Sequence, residues 1–469
     1  MRKSTMTLVA ATLALTACST TKKEDAADTT SPPAAETTVA DSAADNAGDT
    51  TVAEAASAAT TAPAATDAPA PTFPPVVDDR APGVTDTTIK IGVMYLDLSA
   101  AGPVLGINQG DYKAAYQAAI DEVNEAGGVQ GRKLEAVYTP IVPASADQGT
   151  AACTALTDDD KVFVVLGNYV DENAPCVVTT HETPLLGGDL AMTPDAMAAA
   201  KALWFAVGGG TGQQNAGLQA LVDQGLLSGK VGVVGALGYE SLYEQTAKPI
   251  LDAGGIDVVD VAYLDIVNGA TDPNSLYAAA ETVALKFQSE GIDQVIFNTG
   301  GGQVFPIGLA RTDYRPQLAY DSSADAALFI NGEGNDLSVL QNAIAVGPYD
   351  APNLFPEMGG VTAECVASQE KRLGIKIVPA DDVPKGDPNY WASSSVACNL
   401  VGLATKIIDA AGPELNWGTF TTAGYNLGSV DLVTSIDPYV FDKGHPNGAP
   451  RLYTYKFDAA SGSMRPVEG

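Results

Sequence analysis

Few residues in this sequence could perform redox, metal or nucleophilic chemistry. Its 469 residues include two histidines, His181 and His445, and five cysteines, Cys18, Cys153, Cys176, Cys365 and Cys398. With no CxxC pair, a zinc or iron site has few possible ligands, and no metal is expected. Neither histidine stands in a Cys/His signature. No GxSxG elbow, P-loop or D-x-D-x-D-G loop occurs either, so the motifs argue against an enzyme and imply no cofactor. Asp381 and Asp382 are adjacent acids in the Pro-rich stretch "VPADDVPKGDP". Such pairs are ordinarily solvated. What remains is the chemistry of binding, carried by hydroxyls, amides, carboxylates and aromatic rings.

Cys18 stands apart from the other cysteines. Arg2 and Lys3 supply a positive start, and Met6 to Leu15 give an apolar stretch too short to span a bilayer. The stretch ends in Leu15-Thr16-Ala17-Cys18, which resembles the bacterial lipobox. Residues 1–18 are therefore expected to be a lipoprotein signal peptide, with Cys18 the lipidated residue. Two acyl chains at ~0.8 kcal/mol per buried methylene would hold the protein outside the cytoplasm, anchored to the cell membrane. Removing Cys18 leaves an even set of cysteines, as suits an oxidising compartment. Three pairings are possible, of which neighbours in sequence are the simplest: Cys153 with Cys176 and Cys365 with Cys398. Buried free thiols are the alternative.

Against 57 acidic residues stand 25 basic ones, a formal charge of −32. A phosphate backbone needs clustered Lys and Arg, so nucleic acid is excluded as a partner. Residues 19–80 are mostly Ala, Thr, Asp, Glu, Ser and Pro, which cannot bury enough surface to offset the entropy of ordering. This segment is expected to be a disordered linker. Either it lifts a folded module off the membrane, with a reach of roughly 45 Å, or it is a spacer with no length requirement.

From residue 86 onward the punctuation is regular. "TIKIGVMYL", "KLEAVYTPI", "KVFVVLGNY" and "TPLLGGDL" read as strands separated by helical patterns such as "GDYKAAYQAAIDEVNEAGG". A second series starts near residue 207, with strands "KVGVVGAL", "IDVVDVAYLD", "QVIFNTG" and "QLAYDS" between helices. Such alternation predicts an α/β fold of two lobes with mostly parallel sheets. Gly127, Gly128 and Gly131 mark where the first helix stops and turns into a strand.

Taken in order, the segments "IKIGVMYLDLSAAGP", "AAIDEVNEAGGVQGRKLEAVY", "KVFVVLGNYVDENAPCV", "KVGVVGALGYESLYEQTAKPILDAGGIDV" and "TSIDPYVFDKGHPNGAPRLYTYKFD" resemble the type I periplasmic binding proteins. The likeness is strongest to the leucine/isoleucine/valine-binding branch of ABC-transporter substrate-binding proteins. It implies a clamshell of two Rossmann-like lobes, lobe one of 86–206 plus 350–432 and lobe two of 207–349 plus 433–469. It also implies a cleft at the carboxyl ends of the strands, where a small polar ligand, an amino acid or related compound, is captured for delivery to an ABC permease by a monomer. A sensor that signals rather than transports is the alternative. The expected ligand-binding residues are Ser99, Ala100, Asn168, Tyr169, Gly188, Asp189, Tyr239, Asn298, Thr299, Gly301, Asp321 and Ser322. Within that set, Tyr239 matches the family's second-lobe tyrosine and Asp321 its ammonium-binding acid. Asp171, Glu172 and Asp189 depart from the family pattern, since acids there repel a carboxylate. Either Asp171 and Glu172 point away as helix N-terminal residues, or the ligand is cationic or neutral. The segment "IVPADDVPKGDPNY" has no period and no assigned role.

Overall fold

The structure, a computed structural model, describes residues 72–99, 108–141, 146–167, 173–188, 192–207, 210–266, 273–298, 301–330, 332, 334–348, 351–384, 387–448 and 451–467. All belong to the compact unit Ala68–Gly469. The signal peptide, Cys18 and linker residues 19–71 lie outside the described residues.

Strands form where β-branched and apolar residues run together. The first sheet contains β1 (Thr88–Leu96), β2 (Lys133–Ile141), β3 (Val164–Gly167), β4 (Leu185–Gly187) and β5 (Trp204–Phe205). Its order is β2-β1-β3-β4-β5, and every pairing is parallel. The second sheet contains β6 (Lys230–Ala236), β7 (Asp257–Leu264), β8 (Gln294–Asn298), β9 (Gln317–Tyr320) and β10 (Ile344–Gly347) in parallel pairings. A small ribbon of β11 (Gly428–Val430) and β12 (Tyr439–Phe441) comes next in the chain. The second sheet is then extended by β13 (Tyr453–Asp458), antiparallel to β10, and by β14 (Ser463–Pro466), antiparallel to β13. Its order is β14-β13-β10-β9-β8-β6-β7.

Helices cover both sheets: α1 (Tyr112–Glu125), α2 (Ala146–Thr154), α3 (Pro194–Ala199), α4 (Gly210–Asp223), α5 (Lys248–Ala253), α6 (Pro273–Glu290), α7 (Phe305–Leu309), α8 (Ser323–Ile330), α9 (Gly360–Leu373), α10 (Tyr390–Ala411) and α11 (Trp417–Tyr425). Strand alternation divides each sheet between two cores. Val164 and Leu166 pack with α1 and α10, while Val165 packs with Leu156, Val177 and Trp204 on the other face. In the second sheet Val295 and Phe297 pack with α6, and Ile296 packs with Leu218 and Leu221 of α4. Burial on both faces is why these strands read as unbroken apolar runs.

At the start of α1, Asp111 accepts the Ala114 N–H at 3.0 Å. The helix stops at Gly127 and Gly128, both at positive φ, and a Cβ on Gly128 would stand 2.0 Å from the Arg132 carbonyl oxygen. Only glycine permits so close a reversal into β2. Late in the chain α10 returns to the first sheet, burying Leu400, Leu403, Ile407 and Ile408 against it. Tyr439 and Phe441 of β12 still pack in that core, and the chain joins the second sheet at β13.

One feature corrects the composition reading. Residues 73–80, expected as linker, are docked along α11. The Phe73 N–H donates to Asn426 Oδ1 and the Val76 N–H to Thr422 Oγ1, both at 2.8 Å. The Trp417 and Gly418 N–H groups donate to the carbonyls of Arg80 and Asp78 at 2.8 Å. A helix start has free N–H groups that need acceptors, and this arm supplies them through its backbone. Composition records side chains, so it missed the pairing. Arg80 also lies over the Trp417 ring, 4.6 Å from its centroid.

The described residues contain two disulfides: Cys153 is bonded to Cys176, and Cys365 to Cys398. The second joins α9 to α10 beside a satellite cluster of Phe355, Ile377, Trp391 and Val433. Ile377 gives the aperiodic Pro-rich segment an apolar anchor at one end.

Candidate functional site

Each sheet has a point where the strand order reverses. In the first sheet β1 is flanked by β2 and β3, and in the second β6 is flanked by β7 and β8. Loops leaving the two central neighbours diverge there and open a crevice at the strands' carboxyl ends. The residues following β1, β3, β6 and β8 are thus the ones that chain topology places around a ligand, with β4 and β9 alongside.

On the first sheet, Asp97 follows β1 and its carboxylate accepts the Ser99 N–H at 2.9 Å. The Ser99 hydroxyl, and then its backbone N–H, hold the Asp97 carboxyl below the ordinary range. Ser99 itself is exposed. Gly188, at the end of β4, is buried, and its N–H is committed to the Gly167 carbonyl at 3.1 Å. Ala100, Asn168, Tyr169 and Asp189 lie outside the described residues, as do Asp171 and Glu172.

On the second sheet, Tyr239 follows β6 and is 49 % exposed. It stands at the start of the short helical turn Glu240–Leu242. Asn298 ends β8, and Thr299 lies outside the described residues. Gly301 is buried and opens the turn Gly301–Gln303, whose Gly302 carbonyl accepts the Tyr320 hydroxyl at 3.3 Å. Tyr320 ends β9, so Gly301, Asp321 and Ser322 are brought to one end of the sheet.

Asp321 is the most informative of these residues. It is 2 % exposed, and its Oδ2 has no hydrogen-bond partner. Four residues on, in the first turn of α8, Asp325 Oδ2 is buried and equally unpartnered. Burial pushes the Asp321 carboxyl well above the usual range, and the charge of Asp325 adds to the effect. Burial alone raises Asp325 to about 6. α4 closes over this spot so tightly that a Cβ on Gly217 would stand 1.8 Å from the Asp321 carbonyl oxygen. A buried carboxylate oxygen without a donor is costly, and a ligand bearing a cation or hydrogen-bond donor relieves that cost.

Sequence reading found Asp321 and missed Asp325. The signal was present in "DSSAD", where two acids four apart straddle a strand end and a helix start. No pattern in the sequence shows that both would be buried. Burial depends on α4 and β10, which come from distant parts of the chain.

Residues 88–313 match the family model described as periplasmic binding protein. Among solved structures, an ABC transporter substrate-binding protein from Desulfitobacterium hafniense in complex with Leu has a TM-score of 0.55 at 18 % identity, covering 81 % of this chain and 100 % of that one. A putative branched-chain amino acid ABC transporter protein from Rhodospirillum rubrum has 0.54 at 18 %, covering 81 % and 100 %. A solute binding protein of an ABC transporter from Rhodopseudomonas palustris BisB5, in complex with 3,4-dihydroxy benzoic acid, has 0.55 at 15 %, covering 82 % and 97 %. At these identities the likeness is one of fold. No curated protein matches this chain in sequence.

Proposed function

We propose that this chain, which matches the periplasmic binding protein model over residues 88–313, captures a small amine-bearing solute, an amino acid or related compound, between its two lobes and hands it to an ABC permease. The single observation that carries the choice of ligand is Asp321, a buried carboxylate with a partnerless oxygen at the end of β9. An ammonium group supplies both the charge and the donors that Asp321 lacks. The related structures hold an aliphatic amino acid in one case and an aromatic acid in another. Two buried acids favour the amine-bearing class, because they repel an aromatic carboxylate.

In this reading Asp321 and Ser322 hold the ammonium, with Asp325 reinforcing the negative field. Tyr239 and Gly301 shape the second-lobe wall. Ser99, Ala100, Asn168, Tyr169, Gly188 and Asp189 present the first-lobe side, with Asn298 and Thr299 opposite. The two lobes, one built on each sheet, close on the ligand, with the expected boundary at 432/433 moved towards β13 because Tyr439 and Phe441 pack in the first sheet's core. Closure is favoured only by the ligand's greater affinity for the closed form. Cys18 carries the lipid that keeps the module at the membrane, and no helix among the described residues is long and apolar enough to cross one.

The experiment is a thermal-shift screen of the chain expressed without residues 1–18, against amino acids, amides, polyamines, sugars and hydroxybenzoates. A compound at 100 times its Kd adds about 2.7 kcal/mol. Amine-bearing compounds are expected to raise Tm and hydroxybenzoates to leave it unmoved. A benzoate that raises Tm while every amine fails overturns the ligand class.

A further inference from the structure

Half of the histidines and half of the cysteines that remain after Cys18 converge on one spot away from the crevice. Cys153 and Cys176 form a disulfide, and a ring nitrogen of His181 lies within 4.8 Å of their sulfurs. His181 Nδ1 is 3.0 Å from Asp158 Oδ1. Two π-helical turns produce this convergence. Ala155–Asp159 follows α2 directly and carries Asp158, while Cys176–Thr180 places His181 one wide turn beyond Cys176, with the His181 N–H donating to the Cys176 carbonyl at 3.0 Å. Wide turns of this kind are rare and are often found at functional sites. Cys153 is fully buried, whereas the His181 side chain is 18 % exposed and gives a route in from solvent.

We propose that opening this disulfide creates a zinc site built from Cys153, Cys176 and His181, with Asp158 as the positioning residue. The oxidised form is not the ligand set, since metal is held by thiolates rather than by a disulfide. Opening requires a dithiol reductant. One of its thiolates attacks a cystine sulfur and the other sulfur leaves as thiolate. The second thiol of the reductant then resolves the mixed disulfide, so the reductant is oxidised and the protein gains two electrons and two protons. Zinc then displaces the two thiol protons. When Asp158 accepts the Nδ1 proton, the lone pair of His181 resides on Nε2, the arrangement in which a carboxylate orients a zinc-binding imidazole. Water completes the tetrahedron.

The test uses the chain without residues 1–18, reduced with dithiothreitol, desalted without oxygen and titrated with zinc chloride against a chromophoric chelator. Cobalt chloride provides a spectroscopic probe, and circular dichroism follows the fold. Reduced wild type is expected to take up zinc with cobalt–thiolate charge-transfer absorption, and oxidised wild type is expected not to. His181→Ala should weaken zinc binding 10- to 100-fold, about the cost of losing an orienting or ligating group. Reduced Cys153→Ser/Cys176→Ser retains Cys365 and Cys398 and reports their share. Equal zinc uptake by that double variant and reduced wild type overturns the proposal, as does unchanged affinity in His181→Ala. A reduced wild type that loses its fold and does not regain it with zinc also overturns it.

Discussion

At the level of single residues, the buried acids at the end of β9 make the sharpest claims. Asp325 has a folded pKa of about 6, raised by burial above its ordinary 3.8. Between those values the folded state holds a proton that the unfolded state has released, so the group's contribution to stability is present at low pH and lost as pH rises through that window. Asp325→Asn removes this dependence. In urea denaturation, its stability relative to wild type is expected to improve by about 2 kcal/mol between pH 4 and pH 7. A constant difference across that range would mean that Asp325 is not buried as described. Gly217 is tested by Gly217→Ala. A methyl group 1.8 Å from the Asp321 carbonyl oxygen forces α4 away, and a loss of about 1–3 kcal/mol is expected together with weaker ligand binding.

At the level of elements, α10 and the N-terminal arm carry separate tests. Ile407 is fully buried in the core that α10 shares with β1 and β3. Ile407→Ala should cost about 2–5 kcal/mol in urea denaturation, because the surrounding helices and sheet can only partly fill the void. The arm was illegible for the opposite reason. Phe73–Arg80 is held mainly by backbone hydrogen bonds to α11, and a composition dominated by Pro, Asp and Ala gives no sign of them. Deleting residues 72–80 should lower Tm and expose the free N–H groups of α11 to hydrogen exchange; unchanged exchange at Trp417 and Gly418 would mean the arm does not dock. The sheets were far more legible. β1 and β6 coincide closely with the apolar runs because burial on both faces leaves little latitude in residue type, and the edge strand β2 shows instead as alternation of polar and apolar residues. The helical stretches from Ala146 to Asp159 and from Glu240 to Ala253 each contain a π-helical turn, which the sequence does not reveal, since an extra residue per turn leaves almost no trace in apolar spacing.

At the level of the whole molecule, alternating strands and helices made the α/β class and the binding-protein likeness legible, because the order of elements fixes where each sheet reverses. That order also located the loops after β1, β6, β8 and β9. It could not show which side chains those loops bury. Asp321 was found through the resemblance, and its lack of a partner emerged only from the packing of α4, α8 and β9. The proposed role depends on whether that unpartnered carboxylate binds an amine. The most direct measurement is isothermal titration calorimetry with the compound that most raises Tm, on wild type and Asp321→Asn, at pH 5 and pH 8. If Asp321 holds an ammonium, wild type binds more weakly at pH 5 than at pH 8, because burial and the charge of Asp325 raise the Asp321 carboxyl and acid favours its protonated form. Asp321→Asn then loses at least 10-fold in affinity at pH 8, and its affinity varies little with pH. Equal affinity of the two proteins at pH 8, for a ligand without a cationic group, would contradict it.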